Sequence, residues 1–139
     1  MSPTDRPTVL WFRRDLRLDD HPALVAAARE GPVIPLFVLD DVLLRTAGRP
    51  RLAYLLRTLR ALVAQLRQHR AALTVRRGHP VDVMPSVVAE TGAAAVHISA
   101  DFAPYGAQRD ERVVAALGEV PMVATGSPFG LRIWSGATA

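Results

Sequence analysis

Short apolar runs alternate with longer amphipathic stretches along the 139 residues of the chain. The short runs are rich in Val, Ile, Leu and Phe, which predicts buried strands, whereas the longer stretches repeat apolar residues every three or four positions, which predicts helices. The predicted strands cover residues 8–12, 33–39, 72–76, 94–99 and 120–124. The predicted helices cover residues 22–31, 51–69, 80–91 and 107–117.

The second of these helices shows the clearest periodicity. Its apolar side chains fall on one face, which is expected to pack on a sheet; they are Leu52, Leu55, Leu56, Leu59, Leu62, Val63 and Leu66. Asp19 or Asp20 is expected to cap the first helix, and residues 40–50 are expected to form a loop. Gly92 is expected to end the third helix, in which Pro85 predicts a kink or a delayed start.

The fold class that follows is α/β. Strands this apolar are typical of parallel sheets with helices on both faces, joined by right-handed crossovers. We therefore predict a doubly wound, Rossmann-like five-stranded parallel sheet over residues 8–125. Residues 1–7 are predicted to be an N-terminal extension, and residues 126–139 a disordered tail or truncated linker, because they lean toward Gly, Ser, Ala and Thr.

The composition of the chain argues against several kinds of chemistry and cellular location. It has no cysteine, which excludes disulfides and thiolate chemistry. The first residues do not read as a secretory signal, and no apolar run approaches the ~20 residues that cross a bilayer. A cytoplasmic protein without membrane contact is therefore predicted. The net charge of +4 supports a polyanionic partner only slightly, because a basic balance of this size is common in domains that do not bind nucleic acid.

Charged residues are concentrated directly after the first predicted strand. Residues 13–20 contain three arginines and three aspartates, and further acidic or aromatic turns follow the second and fourth strands. Ligands of open parallel sheets bind outside the carboxyl ends of the strands, so these turns predict a site for a flat heteroaromatic molecule with polar edges. The alternative is that the opposite charges pair with each other and fix the loop.

Other chemistry has little support in the sequence. The four histidines do not have metal-ligand spacing, so no metal site is predicted. No serine lies in a nucleophile-elbow context, and no glycine-rich phosphate-binding sequence follows the first strand. We therefore predict no catalytic residue in this chain.

Four segments, taken in order, carry a resemblance to a known family. They are Val9 to Arg17 with Asp20 to Leu24, Pro35 to Asp40, Arg51 to Leu55 with Arg77 to Pro80, and Asp101 to Gly106 with Arg109 and Asp110. Together they resemble the N-terminal α/β domain of the DNA photolyase and cryptochrome family, and most of all a class I deoxyribodipyrimidine photolyase. His21 stands where that family often has asparagine.

The resemblance implies that this domain positions a light-harvesting antenna. In the family, FAD lies on a helical domain that follows, and that domain binds DNA and splits cyclobutane pyrimidine dimers in blue light. The implied antenna is 8-hydroxy-5-deazaflavin, with methenyltetrahydrofolate and FMN as alternatives. The implied partners are the FAD-binding domain and, through it alone, DNA. The chain by itself is expected to bind the antenna without repairing DNA.

The resemblance also implies a set of antenna-binding residues. In this set Asp101 hydrogen-bonds the ring edge, and Phe37 and Leu52 line the pocket beside the ring. Arg51 and Arg109 orient the loop or the ligand. The set consists of Phe37, Leu39, Asp40, Arg51, Leu52, Asp101 and Arg109. Ala103 departs from the family, which usually has an acidic residue there, and this removes one polar contact.

The chain also departs from the family after Phe129, where the match to the linker is lost and the FAD domain is expected to be missing. Three interpretations stay open. The chain is an antenna domain of a repair photolyase, a stand-alone module that binds a flavin-like or folate-like molecule, or a cryptochrome-type signalling fragment. An apolar face left bare where the helical domain would dock predicts self-association.

Overall fold

The computed structural model describes residues 6–100, 104–127 and 130–134 and shows one six-stranded sheet with the order β3-β2-β1-β4-β5-β6. The strands are β1 (Thr8–Phe12), β2 (Val33–Leu39), β3 (Thr74–Arg77), β4 (Val96–Ser99), β5 (Met122–Ser127) and β6 (Gly130–Trp134). Strands β1 to β5 run parallel, and β6 runs antiparallel to β5. The predicted α/β class with five parallel strands is confirmed.

Helices cover both faces of this sheet. They are α1 (Pro22–Glu30), α2 (Asp41–Thr46), α3 (Arg49–Gln68), α4 (Pro80–Thr91) and α5 (Pro104–Leu117). Alternate side chains of β1 point to opposite faces of the sheet, and because helices cover both faces, all five residues of the strand are buried. Leu10 and Phe12 pack with α1 and α3, whereas Val9 and Trp11 pack with α4 and α5. No helix in the described parts of the chain is long and apolar enough to span a bilayer.

Two elements correct the sequence analysis. Residues 126–139 were expected to be a tail, but Gly130–Trp134 forms the sixth strand. Residues 40–50 were expected to be a loop, but Asp41–Thr46 forms α2, and Arg49 begins α3 two residues earlier than predicted. The short helix forms because Asp40 accepts a hydrogen bond from the Val42 N–H at 2.9 Å, which caps its first turn.

The cap of α1 is a third correction. Asp19 and Asp20 were expected there, but the N-cap is His21, whose Nδ1 accepts the Leu24 N–H at 3.1 Å. Asp20 cannot take that position because it adopts a left-handed backbone conformation, with φ of 50°, which turns the chain before the helix begins. Pro85 does not interrupt α4, which runs unbroken to Thr91 and ends at the left-handed Gly92.

The sheet order places a topological switch point between β1 and β4. From β1 the chain moves outward through β2 and β3, then returns to the other side of β1 with β4. Open parallel sheets bind ligands at the carboxyl edge near such a point. The loops after β1 and β2 lie at this edge, as predicted, whereas residues 101–103 after β4 lie outside the described residues.

Candidate functional site

Asp15 organises the loop between β1 and α1. One carboxylate oxygen accepts the backbone N–H of Arg13 at 3.3 Å, and the other accepts the hydroxyl of Ser99 at the end of β4. The same second oxygen lies 2.8 Å from Nε2 of His21. Because these partners come from β4 and from the start of α1, Asp15 joins the two sides of the switch point.

The surroundings of Asp15 favour its charged form. Burial raises the pKa of the carboxyl, but the hydrogen bonds from His21 and Ser99, the charge of His21 and the Arg13 N–H together outweigh burial and hold the pKa well below its ordinary value. His21 is buried, and its Nδ1 accepts the Leu24 N–H, so in the neutral ring the proton is on Nε2, which faces Asp15.

Arg13 spans the switch point itself. Its guanidinium donates to Asp110 Oδ1 in α5 at 2.5 Å and to the backbone carbonyl of Ser99. Asp110 is completely buried, and Arg109 also donates to its Oδ1 at 3.4 Å. The alternative in which the opposite charges of residues 13–20 pair with each other is not supported, because the described residues show no ion pair within that segment. Arg13 and Asp15 bond instead to Asp110, Ser99 and His21, and Arg17 donates to the backbone carbonyls of Asp19 and Asp20 at 3.1 Å.

Trp11 lies below two of these arginines. The guanidinium carbon of Arg13 is 5.1 Å from the centre of the indole ring, and that of Arg109 is 5.4 Å from it. Both distances are within the range of cation–π attraction. The indole is buried, with 3% exposure, so the ring fixes the two guanidinium groups at the carboxyl edge of the sheet.

A cavity of about 480 Å³ opens beside this cluster, on the β1–β2 side of the switch point. The β1–α1 loop, the end of β2, α2 and one face of α3 form most of its wall. The lining residues are Trp11, Phe12, Arg13, Arg14, Leu16, Phe37, Val38, Asp40, Val42, Leu43, Thr46, Arg51, Tyr54, Leu55, Thr58, Pro80, Gly106 and Arg109. The volume suits a molecule of two or three fused rings with a side chain.

Four of the seven predicted site residues line this cavity, namely Phe37, Asp40, Arg51 and Arg109. Leu39 does not line it and packs instead, half-buried, against the apolar cluster of α1 and α3. Leu52 also does not line it, because one step along an α-helix turns a side chain by about 100° from Arg51. Asp101 lies outside the described residues.

Two parts of the wall were not predicted from the sequence. Residues 42, 43 and 46 reach the cavity only because α2 forms, and a six-residue helix leaves little periodic signal. Tyr54, Leu55 and Thr58 follow Arg51 at three-, four- and seven-residue spacing, which places all four on one helical face. That spacing is visible in the sequence and would have found them.

The lining combines aromatic and apolar surface with a few polar groups. Phe37 and Trp11 are buried in the wall and supply apolar surface. Asp40 uses only Oδ1 for the cap of α2, and its Oδ2 has no partner among the described residues, so it can accept a hydrogen bond from a ligand. The cavity can therefore bind and orient a planar heteroaromatic molecule.

Comparison with known proteins identifies what this fold and site are similar to. The family model for DNA photolyase matches residues 8–134. The deoxyribodipyrimidine photo-lyase of Streptomyces griseus is 45% identical over 115 residues, which cover 80% of this chain and 25% of that protein. Cryptochrome-2 of Gallus gallus is 36% identical over 110 residues, which cover 77% of this chain and 19% of that protein. The chain thus spans a quarter or less of these relatives.

Among solved structures, the archaeal photolyase from Sulfolobus tokodaii matches with a TM-score of 0.70 and 27% identity. The match covers 79% of this chain and 26% of that one. That structure holds two FAD molecules and is described as implying a novel light-harvesting cofactor.

Proposed function

Because the chain belongs to the DNA photolyase family, we propose that its cavity holds the light-harvesting chromophore of a deoxyribodipyrimidine photolyase. The observation that carries this proposal is the cavity of about 480 Å³ at the carboxyl edge of the sheet, with Phe37 and Trp11 in its wall. Its volume is that of a small-molecule site, and its mixed aromatic and polar lining suits a planar chromophore.

The chromophore that we propose is 8-hydroxy-5-deazaflavin, with methenyltetrahydrofolate and FMN as alternatives. Phe37 contacts the ring, Asp40 accepts a hydrogen bond from it, and Arg51 and Arg109 orient it. Leu39 packs in the neighbouring apolar cluster instead of contacting the ligand, and Leu52 does not line the cavity. For Asp101, the proposed hydrogen bond to the ring edge still depends on the family resemblance alone.

The activity of the whole protein follows from this role as a further proposal. Excitation captured here passes to FAD, which a further helical domain binds, and that domain acts on cyclobutane pyrimidine dimers in DNA. The chain alone binds the chromophore without repairing DNA. A cytoplasmic location stays a prediction. Self-association through the face that would contact that domain also stays a prediction, and sedimentation of the purified chain tests it.

A cryptochrome-type signalling role is the second candidate, because cryptochromes also match the chain. The identity of 45% to the Streptomyces griseus photolyase, against 36% to Cryptochrome-2, favours the repair enzyme. A stand-alone binding module would use the same cavity. Chromophore binding therefore distinguishes the antenna domain and the stand-alone module from a fragment that signals by protein contact alone.

Titration of the purified chain tests the proposal. The four probes are 8-hydroxy-5-deazaflavin, methenyltetrahydrofolate, FMN and FAD, followed by absorption and fluorescence for saturable binding. Thr58→Phe fills the cavity from α3, whereas Ala53→Phe places the same side chain at an exposed position of the same helix that does not line the cavity. We expect Thr58→Phe to weaken binding at least about tenfold and Ala53→Phe to leave it unchanged.

Two results would overturn the proposal. One is the absence of saturable binding for all four probes by the folded wild-type chain. The other is equal loss of binding in both variants, since Ala53 itself does not line the cavity. Circular dichroism of each variant confirms that the fold is retained before binding is compared.

A further inference from the structure

The positive charge at the mouth of the cavity extends the proposed function, on which this inference depends. We infer that Arg14 and Arg51 bind an anionic group, a phosphate or a carboxylate, on the side chain of the chromophore. The cavity would then select a chromophore with an anionic side chain over the same ring system without one. Arg14 lies in the β1–α1 loop and Arg51 in the first turn of α3, and both line the cavity.

The other arginines and the threonine hydroxyls that line the cavity already have partners, which leaves the neutral phenol of Tyr54 and the neutral indole of Trp11 as further side-chain donors. The hydroxyls of Thr46 and Thr58 each donate to a carbonyl of their own helix at 2.8 Å. Arg13 donates to Asp110 and Ser99, and Arg109 donates to Asp110. A ligand that needs hydrogen-bond donors therefore has few other groups to use.

Arg14 and Arg51 differ from these residues. Within the described ranges, neither guanidinium has a hydrogen bond or an ion pair. Each therefore presents five N–H donors in a planar fork, the geometry that matches phosphate and carboxylate oxygens. Two such groups from separate elements of the chain line one cavity.

The charges that line the cavity do not balance. Four arginines face one carboxylate, that of Asp40, which already caps α2. The buried Asp110 behind the wall compensates Arg13 and Arg109, but the described structure supplies no such partner for Arg14 or Arg51. The first turn of α3 contains no acidic residue, so the positive end of the helix dipole adds to the same potential.

Burial determines which end of a ligand would meet these arginines. Phe37 and Trp11, each 3% exposed, lie at the inner wall, whereas Arg14 and Arg51 are exposed at the rim. A planar ring system would therefore enter first and stack inside, leaving its side chain at the mouth. An anionic group at the end of that side chain would lie within reach of both guanidinium groups, which are on flexible stems.

Matched ligand pairs isolate the anionic group. Riboflavin against FMN, and 8-hydroxy-5-deazariboflavin against its 5′-phosphate, differ only by a phosphate. Methenyltetrahydrofolate with one glutamate against the form with five differs by added carboxylates, so the pairs separate the two sources of charge. For the wild-type chain we expect the more anionic member of at least one pair to bind about tenfold more tightly, with the preference reduced by added salt.

Variants assign this preference to the two arginines. Arg14→Gln and Arg51→Gln should each reduce the ratio about threefold, and the double variant should bring it close to one. Arg49→Gln is the matched control, because it removes the same charge from the same turn of α3 but does not line the cavity. It should change the ratio by less than about twofold.

The possible outcomes distinguish failure of this inference from failure of the proposed function. If both members of every pair bind equally to the wild-type chain, or if the double variant keeps the full ratio, the inference is wrong while chromophore binding stands. If Arg49→Gln lowers the ratio as much as Arg51→Gln, a diffuse potential explains the preference and the inference is again wrong. If no ligand binds, the inference and the proposed function both fail.

Discussion

Nη1 of Arg13 lies 2.5 Å from Oδ1 of Asp110, so the loop after β1 is tied to α5 by an ion pair whose acidic member has no exposed side-chain surface. Loss of one member of a buried pair leaves the other charge without compensation. We expect Asp110→Ala to lower the free energy of unfolding by about 3–5 kcal/mol in urea titrations. Glu111→Ala, at an exposed position of α5, should cost less than about 0.5 kcal/mol. Equal effects would contradict the assigned role of the pair.

Asp15 should make the stability of the chain depend on acid pH. Its native pKa lies below the unfolded value of ~3.9, so its contribution is fully present above that value and is lost as pH falls toward the native pKa. We expect Asp15→Asn to cost about 2 kcal/mol at pH 7 and clearly less at pH 3, measured by denaturant unfolding at both pH values. A cost that does not change between pH 7 and pH 3 would disprove the argument.

His21 should be replaced by asparagine more easily than by alanine. The imidazole Nδ1 caps α1 through the Leu24 N–H, and asparagine is among the preferred residues for that role. Both substitutions remove the edge-on contact with the ring of Phe12, so the difference between them reports the cap. We expect alanine to cost at least about 1 kcal/mol more than asparagine in thermal or urea unfolding. The reverse order would show that the cap contributes little.

Gly92 should tolerate asparagine better than alanine. It ends α4 with φ of 69°, and a Cβ atom at this position would have no neighbour within 4 Å. The cost of a side chain is therefore conformational and not steric contact with other residues. We expect Gly92→Ala to lower the free energy of unfolding by about 1 kcal/mol and Gly92→Asn by less, because asparagine enters the left-handed region more readily. Differential scanning calorimetry of the two variants checks this order.

Most of the sheet could be predicted from the sequence because its strands are buried on both faces. A run such as residues 33–39 is apolar at nearly every position, so it indicates a parallel strand even without its neighbours. Strand β6 carries no comparable signal. It was missed because residues 126–139 lean toward small residues, and an edge strand is determined by pairing with β5 more than by its own composition.

The parts of the candidate site that lie on a strand predicted from the sequence could themselves be predicted. Phe37 and Asp40 follow from the position of β2, whose carboxyl end had to lie at the ligand edge. The partner of Arg13 was not predictable, because Asp110 lies 97 residues away and approaches only when α5 packs on the sheet. Long-range ion pairs of this kind are determined by tertiary packing and leave no local pattern in the sequence.

Helix α2 has no buried residue, although it supplies part of the cavity wall. Its fixed contacts are the Asp40 cap and an exposed ion pair between Arg77 and Asp41 at 3.0 Å, which stabilise it only weakly. Segments with so little buried surface open by local unfolding far more often than the rest of a domain. Amide hydrogens of α2 should therefore exchange much faster than those around the buried Leu62 in α3. Slowing of that exchange by a bound ligand would show that the ligand stabilises this helix against local opening.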